Sequence, residues 1–262
     1  MFSEERREKI LEVLKKEGRV LAKELSDALQ VSIDSIRRDL STLEDKGLVK
    51  RTHGGAIPVT KVKKGPIAPT ERYTEGTMHE NAIVKEAAKW IQAGDTLFIG
   101  GAAIHYVLLK YLPSVPLTVV TNSLKIADAL REQENIDLYV IGGKVKNSGN
   151  MTDALAIQLV SHYSFDLTFV TGGGISERGI STATPEAAAF MKAVGTVSKK
   201  SIGLFTHNKI GVHAFANVGP VSNLAAVITD GESSREHLDA IKQQGVKVII
   251  ANTEKNGTEK AE

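Results

Sequence analysis

The adjacent arginines Arg37 and Arg38 have the most direct chemistry open to them of any pair in this sequence. They follow Ser32, Asp34 and Ser35, in a segment whose apolar residues Ile36, Leu40 and Leu43 recur at helical spacing. Ser32 is a good helix N-cap, so the two guanidinium groups leave the apolar stripe and face solvent or a partner. A guanidinium pairs bidentately with guanine O6 and N7 or with a phosphate, and the first turn of a helix offers backbone N–H groups to an anion. The plainer reading is that Ser32 only caps and the arginines pair with Asp34 or Asp39. Farther on, Gly100-Gly101-Ala102-Ala103 and Gly172-Gly173-Gly174 follow apolar runs, as Asn122 does, and Lys209 lies in a later loop. Such loops suit a small anionic ligand, although a glycine turn, a capping asparagine and a solvated lysine are equally ordinary uses of these residues.

The elements that must position them read in two styles. Helices at Glu4 to Lys16, Ala22 to Leu29 and Ser32 to Gly47 form a helix-turn-helix. Leu48 to Thr52 and His53 to Ile57 then read as two short strands around a glycine turn, a wing that places Arg51 and His53 beside the third helix. Residues 58–77 hold Pro58, Pro66, Pro69 and the basic cluster Lys61, Lys63 and Lys64, and read as a linker. From 78 to 253 apolar strands alternate with amphipathic helices, which implies a mostly parallel sheet covered on both faces. Ligands in such sheets sit at the carboxyl ends of the strands. The tail 254–262 is expected to be disordered.

Composition narrows the choices. With 262 residues and 42% hydrophobic content, the chain can bury the cores of two domains. It has no cysteine, which removes disulfides, thiol catalysis and thiolate-bound metals. His105 and His207 share no metal-ligand spacing with another residue, so no metal is expected, and the absence of G-x-G-x-x-G argues against a dinucleotide cofactor. No apolar run approaches a membrane span and the N-terminus, with Glu4, Glu5, Arg6, Arg7 and Glu8, does not resemble a secretory signal, so the expected compartment is the cytoplasm. The net charge is +2, and its basic excess lies in residues 1–64.

The block Val31-Ser32-Ile33-Asp34-Ser35-Ile36-Arg37-Arg38-Asp39-Leu40, followed by Leu43-Glu44, Gly47 and Arg51-Thr52-His53-Gly54-Gly55-Ala56, resembles the winged helix-turn-helix of the DeoR family of bacterial regulators. Ser35 stands where that family commonly has threonine. The resemblance runs on through Gly94-Asp95-Thr96, Val120-Thr121-Asn122-Ser123, Ile141-Gly142-Gly143 and Val227-Ile228-Thr229-Asp230. It implies a Rossmann-like sensor domain, similar to phosphosugar isomerases and CoA transferases, that follows the winged helix-turn-helix. It also implies a repressor of a carbohydrate or related operon, binding double-stranded operator DNA as a homo-oligomer and answering to a small metabolite such as a phosphorylated sugar.

The loops of the expected pocket depart from the family pattern. Gly100-Gly101-Ala102-Ala103-Ile104 replaces a D-S-G-T-T loop, Thr171-Gly172-Gly173-Gly174 replaces G-A-D-G, and Thr206-His207-Asn208-Lys209-Ile210-Gly211 replaces D-S-S-K-F-G while keeping its lysine. Glu186 matches a family glutamate, but Met191 replaces a basic residue. Two other readings use the same residues: a scaffold whose sensor domain only oligomerises, and an isomerase-like enzyme. The second lacks acids at the loop positions where a general base or nucleophile would sit, so no catalytic residue is assigned.

Overall fold

The computed structural model describes residues 3–17, 20–46, 48–52, 54–58 and 73–253, in two compact units, Met1–Lys61 and Val62–Glu262. His53, most of the expected linker and the expected tail lie outside the described residues.

In the first unit, α1 (Ser3–Glu17), α2 (Ala22–Leu29) and α3 (Ile33–Asp45) enclose a core of Ile10, Leu14, Leu25, Ile36, Leu40 and Leu43. The turn between α2 and α3 is made without glycine. Gln30 adopts the left-handed region at φ 53°, a conformation that costs an L-residue about 1–2 kcal/mol. Ser26 offsets that cost by donating from Oγ to Val31 O at 2.6 Å and accepting at its own carbonyl from Val31 N at 3.2 Å. Ser32 caps α3, its hydroxyl accepting from Ser35 N. The wing holds one strand more than the sequence reading expects. β2 (Val49–Thr52) and β3 (Gly55–Pro58) form the hairpin, and β1 (Val20–Leu21) pairs antiparallel with β3. Two residues are too few to show an alternating pattern, so β1 is defined only by its partner.

Asp39 lies on the buried stripe of α3 at 3% exposure. Arg6 Nε reaches its Oδ2 at 2.5 Å and Arg7 Nη1 its Oδ1 at 3.4 Å, so a carboxylate on the apolar face ties α1 to α3.

The second unit is built on α4 (Met78–Ala88), β4 (Thr96–Phe98), α5 (Ala103–Leu108), β5 (Leu117–Thr121), α6 (Leu124–Leu130), β6 (Ile136–Val140), α7 (Ala154–Val160), β7 (Leu167–Val170), α8 (Pro185–Thr196), β10 (Ser201–Leu204), β12 (Ala226–Asp230), α9 (Arg235–Gln243) and β13 (Lys247–Ala251). Seven of these strands form one parallel sheet in the order β13-β12-β10-β7-β4-β5-β6. Strand alternation sends Leu97, Val119, Leu204 and Ile228 to the face covered by α4, α5 and α6. Their neighbours Phe98 and Val120 meet α7 and α8, and Phe205 and Val227 meet α9, on the opposite face. Both faces are covered, which is why the strands read as nearly continuous apolar runs.

The sheet order reverses at β4: the chain runs outward through β5 and β6, then returns to lay β7 on the other side of β4. That reversal opens a crevice beyond the carboxyl ends of β4, β5 and β7. The sequence reading passed over a second, three-stranded antiparallel sheet made of β8 (Gly174–Ser176), β9 (Gly179–Thr182) and β11 (Ala216–Gly219). These strands are short and rich in glycine and serine, so their residues carry little of the β-branched and aromatic signal that marks a strand.

Asp39→Ala is expected to destabilise the first unit by about 1–3 kcal/mol, because it removes charged, part-buried hydrogen bonds that tie α1 to α3. Denaturant unfolding of wild type, Asp39→Ala, Arg6→Ala and the double variant checks this, and additive single effects would show that the pair does not couple α1 to α3.

Candidate DNA-reading surface and effector site

On α3, Arg37 and Arg38 are both exposed. Arg37 Nη1 approaches Asp34 Oδ1 at 3.4 Å, but both side chains are more than half exposed, and such a pair is worth little in water and is easily exchanged for another anion. Asp39 is already taken by α1, so it does not compete for Arg38. Ser32 and Ser35 share a hydroxyl contact of 2.9 Å in the first turn, and Asp34 is exposed beside them. In the wing, Glu44 Oε1 accepts from Arg51 N at 2.9 Å, which fixes β2 against α3 and leaves the exposed Arg51 side chain on that strand. The sequence reading missed Arg6, Arg7 and Asp39. The available signal was an aspartate that falls among Ile36, Leu40 and Leu43.

In the second unit the crevice brings together Gly100, Gly101 and Asn122, joined by a segment absent from the expected site, Asn150 to Thr152. Asn122 Nδ2 donates to Met151 O at 2.8 Å, Met151 N to Asn122 O at 2.9 Å, and Asn150 Nδ2 to Gly101 O at 3.1 Å. Each amide nitrogen points at a carbonyl, which fixes where the opposite oxygens lie. A Cβ on Gly101 would stand 1.9 Å from Asn150 Oδ1 and 2.7 Å from Ser123 Oγ. Glycine there lets these two side-chain oxygens approach the β4 loop.

Those oxygens have no protein partner. Asn122 Oδ1, Ser123 Oγ, Asn150 Oδ1, Thr152 Oγ1, Thr171 Oγ1 and His105 Nε2 are all buried without a hydrogen bond. Leaving a buried polar atom unmade costs about 1–3 kcal/mol, so a cluster of them at strand ends marks a place for a polar guest. Ser123 occupies the N-cap position of α6 but makes no side-chain cap, so the capping role open to it in sequence is not the one it takes. His105 Nδ1 lies 2.9 Å from Gly100 O; a carbonyl only accepts, so Nδ1 carries the proton and Nε2 presents a lone pair. Burial of the ring pushes its pKa down to about 4, the Gly100 hydrogen bond opposes that shift and the positive charge of Lys209 adds to it. The imidazole is neutral, and Lys209 lies near enough to be felt.

The remaining expected residues divide. Ala102 and Ala103 open α5 and offer no side-chain cap. Gly172 and Gly174 are there because backbone crosses them: a Cβ would meet Ser181 O at 2.5 Å and Val212 O at 2.1 Å. They join β7 to the small sheet, and Gly173 donates from its N–H to Ser181 O. Glu186 is exposed and its Oε2 accepts from Lys146 Nζ at 2.8 Å, a partner that sequence spacing does not suggest. A surface depression of about 610 Å³ takes in Tyr73, Leu124, Lys125, Asp128 and Asn147 to Gly149. It borders the loops that carry the orphaned atoms: Leu124 and Gly149 adjoin Ser123 and Asn150 in the chain, and Tyr73 Oη donates to Gly101 O at 3.3 Å.

With this geometry in view, comparison with known proteins is specific. The profile of the DeoR-like helix-turn-helix domain matches residues 6–62, and that of the DeoR C terminal sensor domain matches residues 77–231. The HTH-type transcriptional repressor GlcR of Bacillus subtilis is 31% identical over 95% of this chain and 97% of its own length. The HTH-type transcriptional regulator GolR of Listeria innocua is 30% identical over 96% of this chain and its full length. The lactose phosphotransferase system repressor of Staphylococcus aureus is 28% identical over 92% and 97%. Among solved structures, ribose 5-phosphate isomerase A of Methanocaldococcus jannaschii superposes with a TM-score of 0.37 at 14% identity, covering 50% of this chain and 52% of that one. No helix among the described residues is long and apolar enough to cross a membrane.

Two outcomes follow from these sites. Arg37→Ala and Arg38→Ala are each expected to weaken operator binding, at least one with a loss of sequence preference of ~1–3 kcal/mol, whereas Arg51→Ala lowers affinity for all sequences and flattens the salt dependence. Competition binding with operator and scrambled duplexes separates the two; unchanged operator affinity in both helix variants would remove α3 from the interface. For His105, the folded state holds a proton less tightly than the unfolded state. Stability present above pH ~6.5 is therefore lost as the pH falls toward 4, by about 3 kcal/mol in all. Urea unfolding at pH 7.5 and pH 4 should show that much more loss for wild type than for His105→Gln; equal losses would mean that His105 titrates normally.

Proposed function

This chain belongs to the DeoR family of helix-turn-helix transcription regulators, and from that premise we propose that it represses a sugar-related operon and leaves its operator when a hydroxylated, anionic metabolite fills the crevice at β4, β5 and β7. The observation that carries the reading is the set of buried, unpartnered acceptors. His105 Nε2, Asn122 Oδ1 and Asn150 Oδ1 accept hydrogen bonds and have no proton to give, so they select a guest that donates, such as the hydroxyls of a sugar. Ser123, Thr152 and Thr171 supply hydroxyls that turn either way. A phosphate offers only acceptors and fits none of the three fixed groups, which leaves Lys209 as the cation suited to an anionic end. In this reading the hydroxyls missing from Gly101, Ala103 and Ile104 are supplied from other loops.

The names of the relatives, a lactose phosphotransferase repressor among them, agree with a sugar-linked effector. The reading assigns no catalysis: around the orphaned atoms the sequence supplies amides, hydroxyls and one neutral imidazole, and Glu186 is paired with Lys146 away from them. Operator recognition by α3 and the wing calls for a symmetric oligomer, because one such motif contacts too few base pairs for useful selectivity.

The test is to titrate a panel of sugar phosphates and free sugars against protein bound to operator DNA, following release by fluorescence anisotropy. One hydroxylated anion is expected to release wild type. Thr171→Val, which removes a hydroxyl at nearly constant shape, should need roughly 10-fold more of it, and by linkage the operator should weaken effector binding by the same factor that the effector weakens the operator. Release of both proteins at one concentration would remove Thr171 from the site. No release by any hydroxylated anion would favour a scaffold with an inert sensor domain.

A further inference from the structure

We propose that His79, His207 and Asp230 form a binding site for a divalent transition metal of the zinc class, one ion per chain, with Glu232 as the outer carboxylate that orients both imidazoles. The three ligand groups arrive from separate elements: His79 from the first turn of α4, His207 from the 3-10 turn after β10, and Asp230 from the last position of β12. One ligand atom of each lies within 4.8 Å of the others.

Asp230 Oδ1 is 2.9 Å from His207 Nδ1 and 3.6 Å from His79 Nδ1. Ligands about 2.0–2.1 Å from a tetrahedral ion stand about 3.3 Å from one another, and the two separations bracket that figure. At 3.6 Å the His79 contact is too long for a hydrogen bond, and its buried Nδ1 has no hydrogen-bond partner. A cation between the three groups would satisfy that atom and replace the proton now shared by His207 and Asp230.

Two further features suit a metal better than a simple imidazole-carboxylate contact. Asp230 is fully buried and held in place before any ion arrives, its Oδ2 accepting from His207 N at 2.9 Å and its Oδ1 from Glu232 N at 3.1 Å. With Nδ1 of each ring turned to the ion, both Nε2 atoms face Glu232, whose two oxygens lie 3.5 Å from His79 Nε2 and His207 Nε2 respectively. A carboxylate on the far ring nitrogen is the usual outer partner of a metal-bound histidine, fixing its tautomer. The edge-to-face packing of the two rings, with centroids 5.0 Å apart, keeps them from swinging out. Two imidazoles and one carboxylate suit zinc and cobalt better than magnesium or calcium, and leave a fourth position for water or another donor. The absence of ligand spacing in the sequence hides this site, since only the fold unites its members.

The site is independent of the effector reading, because none of its ligands is among the unpartnered atoms of the crevice. The test uses untagged, chelator-stripped full-length protein titrated with Zn²⁺ against a competing chelator, and with Co²⁺ to read the visible bands of a tetrahedral complex. Wild type should bind one ion per chain, His79→Ala and His207→Ala should lose that binding, and Glu232→Gln should weaken it roughly 10- to 100-fold. As a check that needs no variant to fold, side-chain nitrogen NMR of wild type should show Zn²⁺ shifting two histidine Nδ1 signals, assigned to His79 and His207. Wild-type affinity no greater than that of the histidine variants, or shifts confined to other histidines, would overturn the proposal.

Discussion

A buried polar atom without a partner is expensive, and the second unit concentrates such atoms where its parallel sheet changes direction. Because the chain returns from β6 to place β7 beside β4, the loops leaving β4, β5 and β7 start from neighbouring strand ends at the point where the order reverses. Gly101 lets Asn150 and Ser123 approach the β4 loop closely. The Asn122 and Asn150 amides, each tied by its nitrogen to a neighbouring carbonyl, turn their oxygens the other way. The arrangement is thus a consequence of topology and hydrogen-bond accounting together: the amide nitrogens are used to build the loops, and the oxygens are left without a protein partner.

The same economy governs the DNA-binding unit. A carboxylate on the inner stripe of α3 would be a fault in the core, but Arg6 and Arg7 of α1 meet it. Asp39 therefore serves architecture, while Arg37 and Arg38, two residues and one residue earlier, are exposed, Arg37 with only an exchangeable surface pair. A neighbouring acid that might have neutralised them is spent inside the unit, and Glu44 is likewise used on the wing backbone. Among the described residues, only Asp34 of the acids near the two arginines meets either of them, in an exposed pair.

Much of this was legible in the sequence. The three helices, the wing hairpin and the alternating parallel unit follow from apolar spacing, capping serine and glycine punctuation, and Leu117–Thr121 and Lys247–Ala251 fall where periodicity sets them. The sequence also places the loops at Gly100 and Asn122 at strand ends, and the structure sets them beside each other there. What was not legible depends on partners distant in sequence. β1 exists only against β3, the glycine-rich strands β8, β9 and β11 carry weak side-chain signals, and Gly172 and Gly174 answer to backbone at 181 and 212. Asn150 and Thr152 sit in a stretch without helical or strand period, so nothing local marks them as part of the crevice. Ser123 holds the N-cap position of α6, yet its hydroxyl does not cap; the distinction needs the third dimension.

The orphaned atoms at the ends of β4, β5 and β7 are proposed as the effector site. Hydrogen exchange measured with and without a metabolite that releases operator DNA tests it most directly. Ordering of the crevice by a bound polyol should slow exchange in residues 100–105, 121–124, 149–152 and 171–174 together, as one unit. Protection confined to other segments, with these four unchanged, would contradict the claim and move the effector elsewhere.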